Sequence, residues 1–190
     1  MFLSYRIEGY AIVSSDGRIA DAEGMMPDTL KLEADQRFFE RAMDDVDAVL
    51  HGRRSHEGHP NSHIRRRIVL TRKIAAIAPD PDNPNSLLWN ADGAPFAEAC
   101  AALGLQSGVI AVLGGPEAYG MFLDIGYDAF HLTRAGKVKL PGGMPVFSQT
   151  RGDQSPEDVL AQFGLAPGRM QVLDDGNAVT VVSWKPKGSL

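Results

Sequence analysis

The sequence predicts an α/β fold of three layers: a mostly parallel central sheet, helices on both faces, and an antiparallel hairpin at the C-terminal end. Three observations predict it. Short runs rich in Val and Ile alternate with segments of helical period, the pattern of strand–helix–strand units. The run Val109-Ile110-Ala111-Val112-Leu113 is apolar throughout, as a strand covered on both faces must be. Near the end, 170–173 and 178–184 flank Asp175-Gly176, a hairpin turn signal.

The elements follow in order. Residues 5–14, rich in Ile, Tyr and Val, form the first strand, which Asp16-Gly17 ends. Helical periodicity runs over 29–46, and 48–50 and 67–70 read as strands. The stretch Pro79-Asp80-Pro81-Asp82-Asn83-Pro84-Asn85 is a surface loop, because three prolines remove donors and fix φ. A short strand at 87–89 precedes a helix over 95–103, with Pro95 in its first turn and Gly104 as its left-handed stop. A helix over 116–123 follows the central strand. Next come a strand over 129–134 and a Gly/Pro-rich loop over 136–145. Ser155-Pro156-Glu157-Asp158 opens the last helix with an N-cap hydroxyl, a proline and then acids.

Composition bounds the function. The 190 residues form a single domain, 1–190, with 44% hydrophobic and 23% charged residues. Nineteen Lys+Arg against 24 Asp+Glu leave a formal charge of -5, which argues against nucleic acid or an anionic membrane as partner. Cys100 stands alone, so no intrachain disulfide or cysteine cluster forms, and its Ala-rich helix makes it an inert core thiol. No apolar run approaches the ~18 residues of a membrane helix, and no cleavage-type leader is visible. The expected setting is cytoplasmic and the expected partner a small molecule; the sequence is compatible with a homodimer.

One carboxylate stands where an apolar residue belongs. On a helical wheel at about 100° per residue, Phe38, Phe39, Ala42, Met43 and Val46 occupy one arc, and Asp35 lies at its middle. An acid losing water there has its pKa raised and can bind and protonate a polar heterocycle. The alternative is an acid in the first helical turn that only favours the helix dipole.

Strand ends supply phosphate candidates. Gly114-Gly115 joins the central strand to a helix and offers backbone N–H groups at a positive helix end, although a lone Gly-Gly also reads as a tight turn. Gly52-Arg53-Arg54-Ser55 repeats the arrangement with two guanidiniums and a hydroxyl, and Thr71-Arg72-Lys73 follows the next strand. If those two strands are neighbours, their basic ends converge, as for an NADP 2′-phosphate.

Taken together, these residues resemble the dihydrofolate reductase-like superfamily, which includes the pyrimidine reductase domain of riboflavin biosynthesis. The resemblance runs from about residue 7 to 148. Residues 11–20, from Ala11 and Ile12 to Ile19 and Ala20, look like the first strand and the flexible loop over the nicotinamide. Met26-Pro27, Leu30, Ala34-Asp35 and Phe38-Phe39 are similar to the Met-Pro…Leu…Asp…Phe pattern of dihydrofolate reductases. That similarity implies that Asp35 is the acid holding the heterocycle's amino edge, with Ile12, Met26 and Phe39 as apolar walls. Gly52, Arg53, Arg54 and Ser55 are similar to the Gly-Arg-x-Thr junction that grips the cofactor phosphates, and Thr71 and Arg72 match the second phosphate-side strand end. Leu113, Gly114, Gly115, Pro116, Glu117, Ala118 and Tyr119 look like the Gly-Gly turn and the tyrosine near the nicotinamide. Leu132-Thr133 matches the strand whose threonine hydrogen-bonds the acid. The implied activity is NADPH-dependent hydride transfer to a C=N bond of a pteridine-type ring, with 5-amino-6-ribosylaminouracil reduction as the alternative.

There are departures. Asp28 replaces the tryptophan usual after Met-Pro, about two residues are inserted before Ala34, and His56 stands where an aromatic is common. None of Arg65, Arg66 and Arg67 is assignable as the arginine for a folate tail. Residues 47–50 and 141–147 look more like the riboflavin-pathway reductase. Two further readings compete: a nucleotide-binding module without catalysis, and a metal site among His51, His56, His59 and His63, which lacks an aligned carboxylate.

Overall fold

The computed structural model describes residues 5–55 and 61–189. A nine-stranded sheet forms the middle layer, built from β1 (Tyr5–Ser14), β3 (Ala48–Gly52), β4 (Arg66–Leu70), β5 (Ile77–Pro79), β6 (Ser86–Trp89), β7 (Gly108–Val112), β8 (Ala129–Ala135), β10 (Leu165–Asp174) and β11 (Val179–Pro186). Its order is β10-β11-β8-β1-β7-β3-β4-β6-β5, parallel from β8 to β6 and antiparallel at both margins. β2 (Arg18–Ala20) and β9 (Met144–Pro145) pair separately. The three-layer α/β expectation with a terminal hairpin holds.

Side-chain alternation divides the core into two faces. On one, Ile7, Ala11 and Val13 of β1 join Leu50, Ile110 and Val112. They pack with Phe96 and Cys100 of α2 (Phe96–Ala102), Tyr119 and Phe122 of α3 (Pro116–Ile125), and Leu160 of α4 (Pro156–Gln162). On the other, Tyr10, Val49 and Ala111 meet Phe38, Phe39, Ala42 and Met43 of α1 (Glu33–Met43). Beside this cluster, Ile12 packs with Leu30, Leu32 and Ala135. Cys100 is fully buried, and burial pushes its thiol up to about 12, so it is inert at neutral pH. No helix among the described residues is long and apolar enough to cross a membrane.

Three boundaries move. The helix expected over 29–46 contracts to 33–43: Asp28–Leu30 form a single 3-10 turn, and Leu32 is extended at the N-cap. At its far end Asp44, Asp45 and Asp47 repel the negative helix terminus, and Asp47 instead accepts a hydrogen bond from Val109 N–H at 2.8 Å. Within the loop expected over 136–145, Met144 pairs with Ala20. The hairpin is longer than its Val-rich centre, because Pro167 is tolerated on an edge strand. The N-cap expected at Ser155 forms, and Asp158 completes it as a capping box.

Candidate active site

Parallel strands direct their carboxyl ends to one rim, where ligands of such sheets bind. The glycine junctions meet there. Gly52 N–H donates to Gly114 C=O at 2.7 Å, closing the end of β3 onto the end of β7. Gly114 and Gly115 are joined by a cis peptide bond, and Gly114 has φ +118°, a conformation that favours glycine. A Cβ on Gly115 would stand 3.2 Å from Ser55 Oγ, and one on Gly114 would stand 3.2 Å from the Tyr119 ring. The bare backbone therefore forms the floor between Ser55 and the start of α3. Pro116 occupies the first turn of α3, and no side chain caps it.

The basic ends converge as the sequence implies, because β3 and β4 are neighbours with Gly52 level with Leu70. Arg53 and Arg54 are exposed and Ser55 is half-buried. Thr71 is buried, and its backbone N–H donates to Trp89 C=O at 2.8 Å. The structure adds a connection that the sequence reading missed: the Arg72 guanidinium is ion-paired with Glu117 in the first turn of α3, spanning the gap between the two phosphate candidates. A cleft of about 630 Å³ adjoins this rim, lined by His51, Arg53, Arg67, Thr71, Lys73 and Asp82. In its floor Arg67 donates to His51 Nε2 at 2.6 Å and to Ser62 C=O at 2.7 Å, while His51 Nδ1–H donates to Gly52 C=O at 2.8 Å. His51 is thus the neutral Nδ1–H tautomer with its second nitrogen occupied by a cation.

Asp35 is half-buried in the first turn of α1, the position that the dipole alternative describes. Its charge reaches the rim. Burial, and after it the charge of Asp35, push the Tyr119 phenol well above its ordinary pKa. That hydroxyl donates to Tyr10 C=O and lies beside Gly114. Phe39 is half-buried and packs edge-on to Tyr10 at 6.0 Å between centroids. Ile12 and Thr133 are buried and level with each other on β1 and β8. Ala11 points to the opposite face, and Ile19 packs at the margin of that core. Met26 is 41% exposed in the segment that follows β2. Leu113, Pro116 and Ala118 complete the bend, and Leu113 N–H is held by Leu50 C=O at 2.8 Å.

The loop after β1 is anchored at its base: Arg134 donates to Ser14 C=O at 3.1 Å and Ser15 C=O at 3.0 Å, and Asp16 accepts from Leu140 N–H at 2.9 Å. Residues 21–27 stand exposed or half-buried without a strand partner.

The three consecutive arginines are engaged. Arg65 donates to Met43 C=O at 2.6 Å at the C-terminus of α1, and Arg66 reaches Gly104 C=O at 3.4 Å. Of the four clustered histidines, His56 and His59 lie outside the described residues. Among the described residues no three metal-ligating side chains gather, and His51 is turned to Arg67.

Sequence reasoning passed over a buried acid on the same side of the sheet. Glu8 accepts from the Tyr10 hydroxyl at 2.6 Å, lies 2.7 Å from Arg6 and 3.3 Å from His131, and His131 in turn contacts Ser183 Oγ at 2.7 Å. The signal was available, since Glu8, Tyr10 and Ile12 share one face of a strand by parity.

No family model and no curated protein matches the chain. Solved structures do. A putative riboflavin biosynthesis protein from Shewanella sp. PV-4 superposes with a TM-score of 0.66 at 19% identity, covering 96% of this chain and 99% of that one. Dihydrofolate reductase from Enterococcus faecalis, complexed with NADP(H), gives 0.65 at 18% identity over 98% and 99%. A pyrimidine reductase-like protein from Corynebacterium diphtheriae gives 0.64 at 15% over 95% and 91%. With these neighbours over nearly its whole length, and its glycine junctions meeting at one rim of the sheet, the chain adopts the dihydrofolate reductase-like fold.

Proposed function

We propose that the protein is an NADPH-dependent reductase of a C=N bond in a pteridine-type heterocycle. The observation that carries the reading is the juxtaposition at one rim: the Asp35 charge acts on Tyr119, whose hydroxyl lies against the Gly114-Gly115 bend.

The glycine floor fits a dinucleotide. A Cβ at Gly115 would fill the space beside Ser55, and Gly52, Gly115 and the start of α3 offer backbone to a pyrophosphate. Arg53, Arg54, Ser55, Thr71 and Arg72 would hold the adenosine phosphates. A nicotinamide cofactor held there would supply a hydride to the ring carbon. The chain supplies the rest. The Asp35 carboxylate holds the amino edge of the ring and favours the protonated nitrogen, so that the carbon beside it accepts the electron pair. Ile12, Phe39 and Met26 wall the ring on the α1 side, and Thr133 fixes the acid's neighbourhood from β8. Tyr119 holds the Tyr10 carbonyl and keeps the bend closed.

A second reading, reduction of a ribosylaminopyrimidine, is favoured by the engagement of Arg65 by Met43 C=O and of Arg67 by His51 and Ser62 C=O, which occupies the guanidiniums a carboxylate tail would use. The test is NADPH oxidation at 340 nm with dihydrofolate and with a ribosylaminopyrimidine in separate assays, beside NADPH-induced thermal stabilisation. Oxidation with the first supports the pteridine reading and with the second the alternative. Stabilisation by NADPH without turnover of either ring would replace both with a binding module.

A further inference from the structure

On the α1 side the sheet is covered unevenly. α1 packs over β1, β7 and β3 through Tyr10, Ala111 and Val49. Beyond β3 the same face continues over β4 and β6. Ile68 and Leu87 point away from it into the opposite core. Val69 and Leu88 point into it and, among the described residues, join none of the three apolar clusters. Both line the cleft of about 630 Å³. His51 is level with Val69, and Val69 with Leu88, so an imidazole and two aliphatic side chains form one row across its floor. Both ring nitrogens of His51 are engaged, and what it offers a ligand is ring surface.

Charge divides along this groove. Arg53 and Lys73 line it beyond the carboxyl ends of β3 and β4, while Asp80 and Asp82 line it in the turn that precedes β6, at the other end. The floor between them, from Thr71 back to Arg67, spans about 13 Å of extended chain. None of these four charges is ion-paired among the described residues. At the basic end Thr71 Oγ1 accepts from Lys73 N–H at 3.2 Å, so its hydroxyl hydrogen remains to donate. Toward the acidic end Ser86 stands level with Arg67 on the same face, and its buried hydroxyl has no hydrogen-bond partner among the described residues. Unpaired polar atoms are rare in protein interiors, and this one lies on the face that carries the cleft.

Cations at one end, acids at the other and a flat row between them select a dipolar ligand with a planar middle. Free phosphate would leave the acids unmatched, and a dicarboxylate would set an anion against them. A phosphate monoester suits the basic end, where guanidinium, ammonium and hydroxyl donors meet. A planar heterocycle suits the row, and its exocyclic amino group would donate to Asp80 or Asp82. The volume falls in the ~300–1,000 Å³ range of small-molecule sites. We infer that the cleft is a nucleoside monophosphate site on the α1 side of the sheet, distinct from the glycine floor. It shares the Arg53 and Thr71 margin with the proposed cofactor site, whereas Lys73, Val69, Leu88, Asp80 and Asp82 belong to it alone. It stands independently of the reductase reading.

The test is isothermal titration of the full chain with adenosine 5′-monophosphate and, separately, ribose 5-phosphate. One nucleotide per chain is expected, with a dissociation constant below about 1 mM. Lys73→Ala should weaken it about 10-fold and Asp82→Asn about 5-fold, with NADPH affinity within about 2-fold of wild type. Both side chains are exposed, so neither change threatens folding. Asp82→Asn should leave ribose 5-phosphate, which has no amino edge, unaffected. Titration in rising NADPH separates the sites. With two sites the nucleotide weakens by a factor that levels off, about 5-fold or more, because the shared margin couples them. A dissociation constant that keeps rising in proportion to NADPH makes the cleft the cofactor's own adenosine end and overturns the proposal. So does the absence of nucleotide binding up to about 1 mM, or binding indifferent to Lys73→Ala. Ribose 5-phosphate binding as tightly as the nucleotide overturns the planar platform. If NADPH does not bind, the reductase reading fails while the nucleotide titrations still decide this one.

Discussion

Two acids stand on the α1 side of the sheet, and their surroundings differ in kind. Glu8, in β1, is 8% exposed and held by Tyr10, Arg6 and His131. Chiefly the His131 hydrogen bond, against the opposing effect of burial, brings its carboxyl down to about 2. Asp35 sits in the first turn of α1 at the rim where the strands end, half-buried, and its charge is felt by a tyrosine on the far side of β1. A carboxylate gripped by three neighbours is a structural member, ionised at any ordinary pH. One placed at a helix start and half-buried is the acid that the proposed function assigns to the substrate. Burial alone therefore does not single out a candidate acid, since the more buried of the two is the one held by three neighbours.

The largest expected effect separates the two. Asp35→Asn should lower turnover by about 10²–10⁴, the range for loss of an acid acting in the transition state, while the dissociation constant for NADPH stays within about 2-fold. Steady-state kinetics beside a fluorescence titration of NADPH checks both, and full activity in that variant removes the acid from the mechanism. Glu8→Gln should do the reverse. The folded-state pKa of Glu8 lies below its ordinary 4.5, so its contribution to stability is present above that value and is lost as pH falls toward about 2. Wild-type stability should fall across that window by an amount on the order of 3 kcal/mol from this group, and the variant should show a flatter acid limb. At neutral pH the variant should melt roughly 5 °C lower with turnover nearly unchanged, since a buried network loses its anion. Denaturation followed by circular dichroism from pH 2 to 7 reads both effects.

The contrast also explains what the sequence carried. Parallel strands without polar interruptions, such as 108–112, announce themselves, and the Gly-Gly and Gly-Arg-Arg-Ser junctions are local, so sheet and rim were both legible. Asp35 was singled out because an amphipathic helix makes an acid within the apolar arc visible. For Glu8 only strand parity was available, which sets it on the face of Tyr10 and Ile12; its contact with His131, 123 residues away along the chain, was not legible. The Arg72–Glu117 pair was missed for the same reason, since 45 residues separate two charges that only the β4–β3–β7 order brings together. The two-residue ladder at Met144 carries no period at all.

Smaller effects sharpen the role of the rim. Gly115→Ala places a methyl 3.2 Å from Ser55 Oγ in the proposed pyrophosphate floor. NADPH affinity should fall roughly 10-fold, about 1.4 kcal/mol, with the acid limb of the stability curve unmoved. A serine in place of Gly52 should act less, because a Cβ there stays 3.8 Å from Gly115 N and meets only ordinary contact.

The smallest effect concerns Glu117, and its sign is informative. Its carboxylate lies beside the phosphate candidates and engages the Arg72 guanidinium, while both side chains remain more than half exposed. If the rim binds a dianionic phosphate, Glu117 both repels it and competes for its arginine. Glu117→Gln should then tighten NADPH binding about 2-fold at low salt, and the gain should fade as ionic strength rises and the Debye length shrinks to about 8 Å at 0.15 M. NADH, which lacks the 2′-phosphate, should gain less. Isothermal titration with both dinucleotides at two salt concentrations measures the difference. An equal gain for both would move the Arg72–Glu117 pair from the 2′-phosphate to the pyrophosphate, and a loss for both would make the pair a structural tie between β4 and α3.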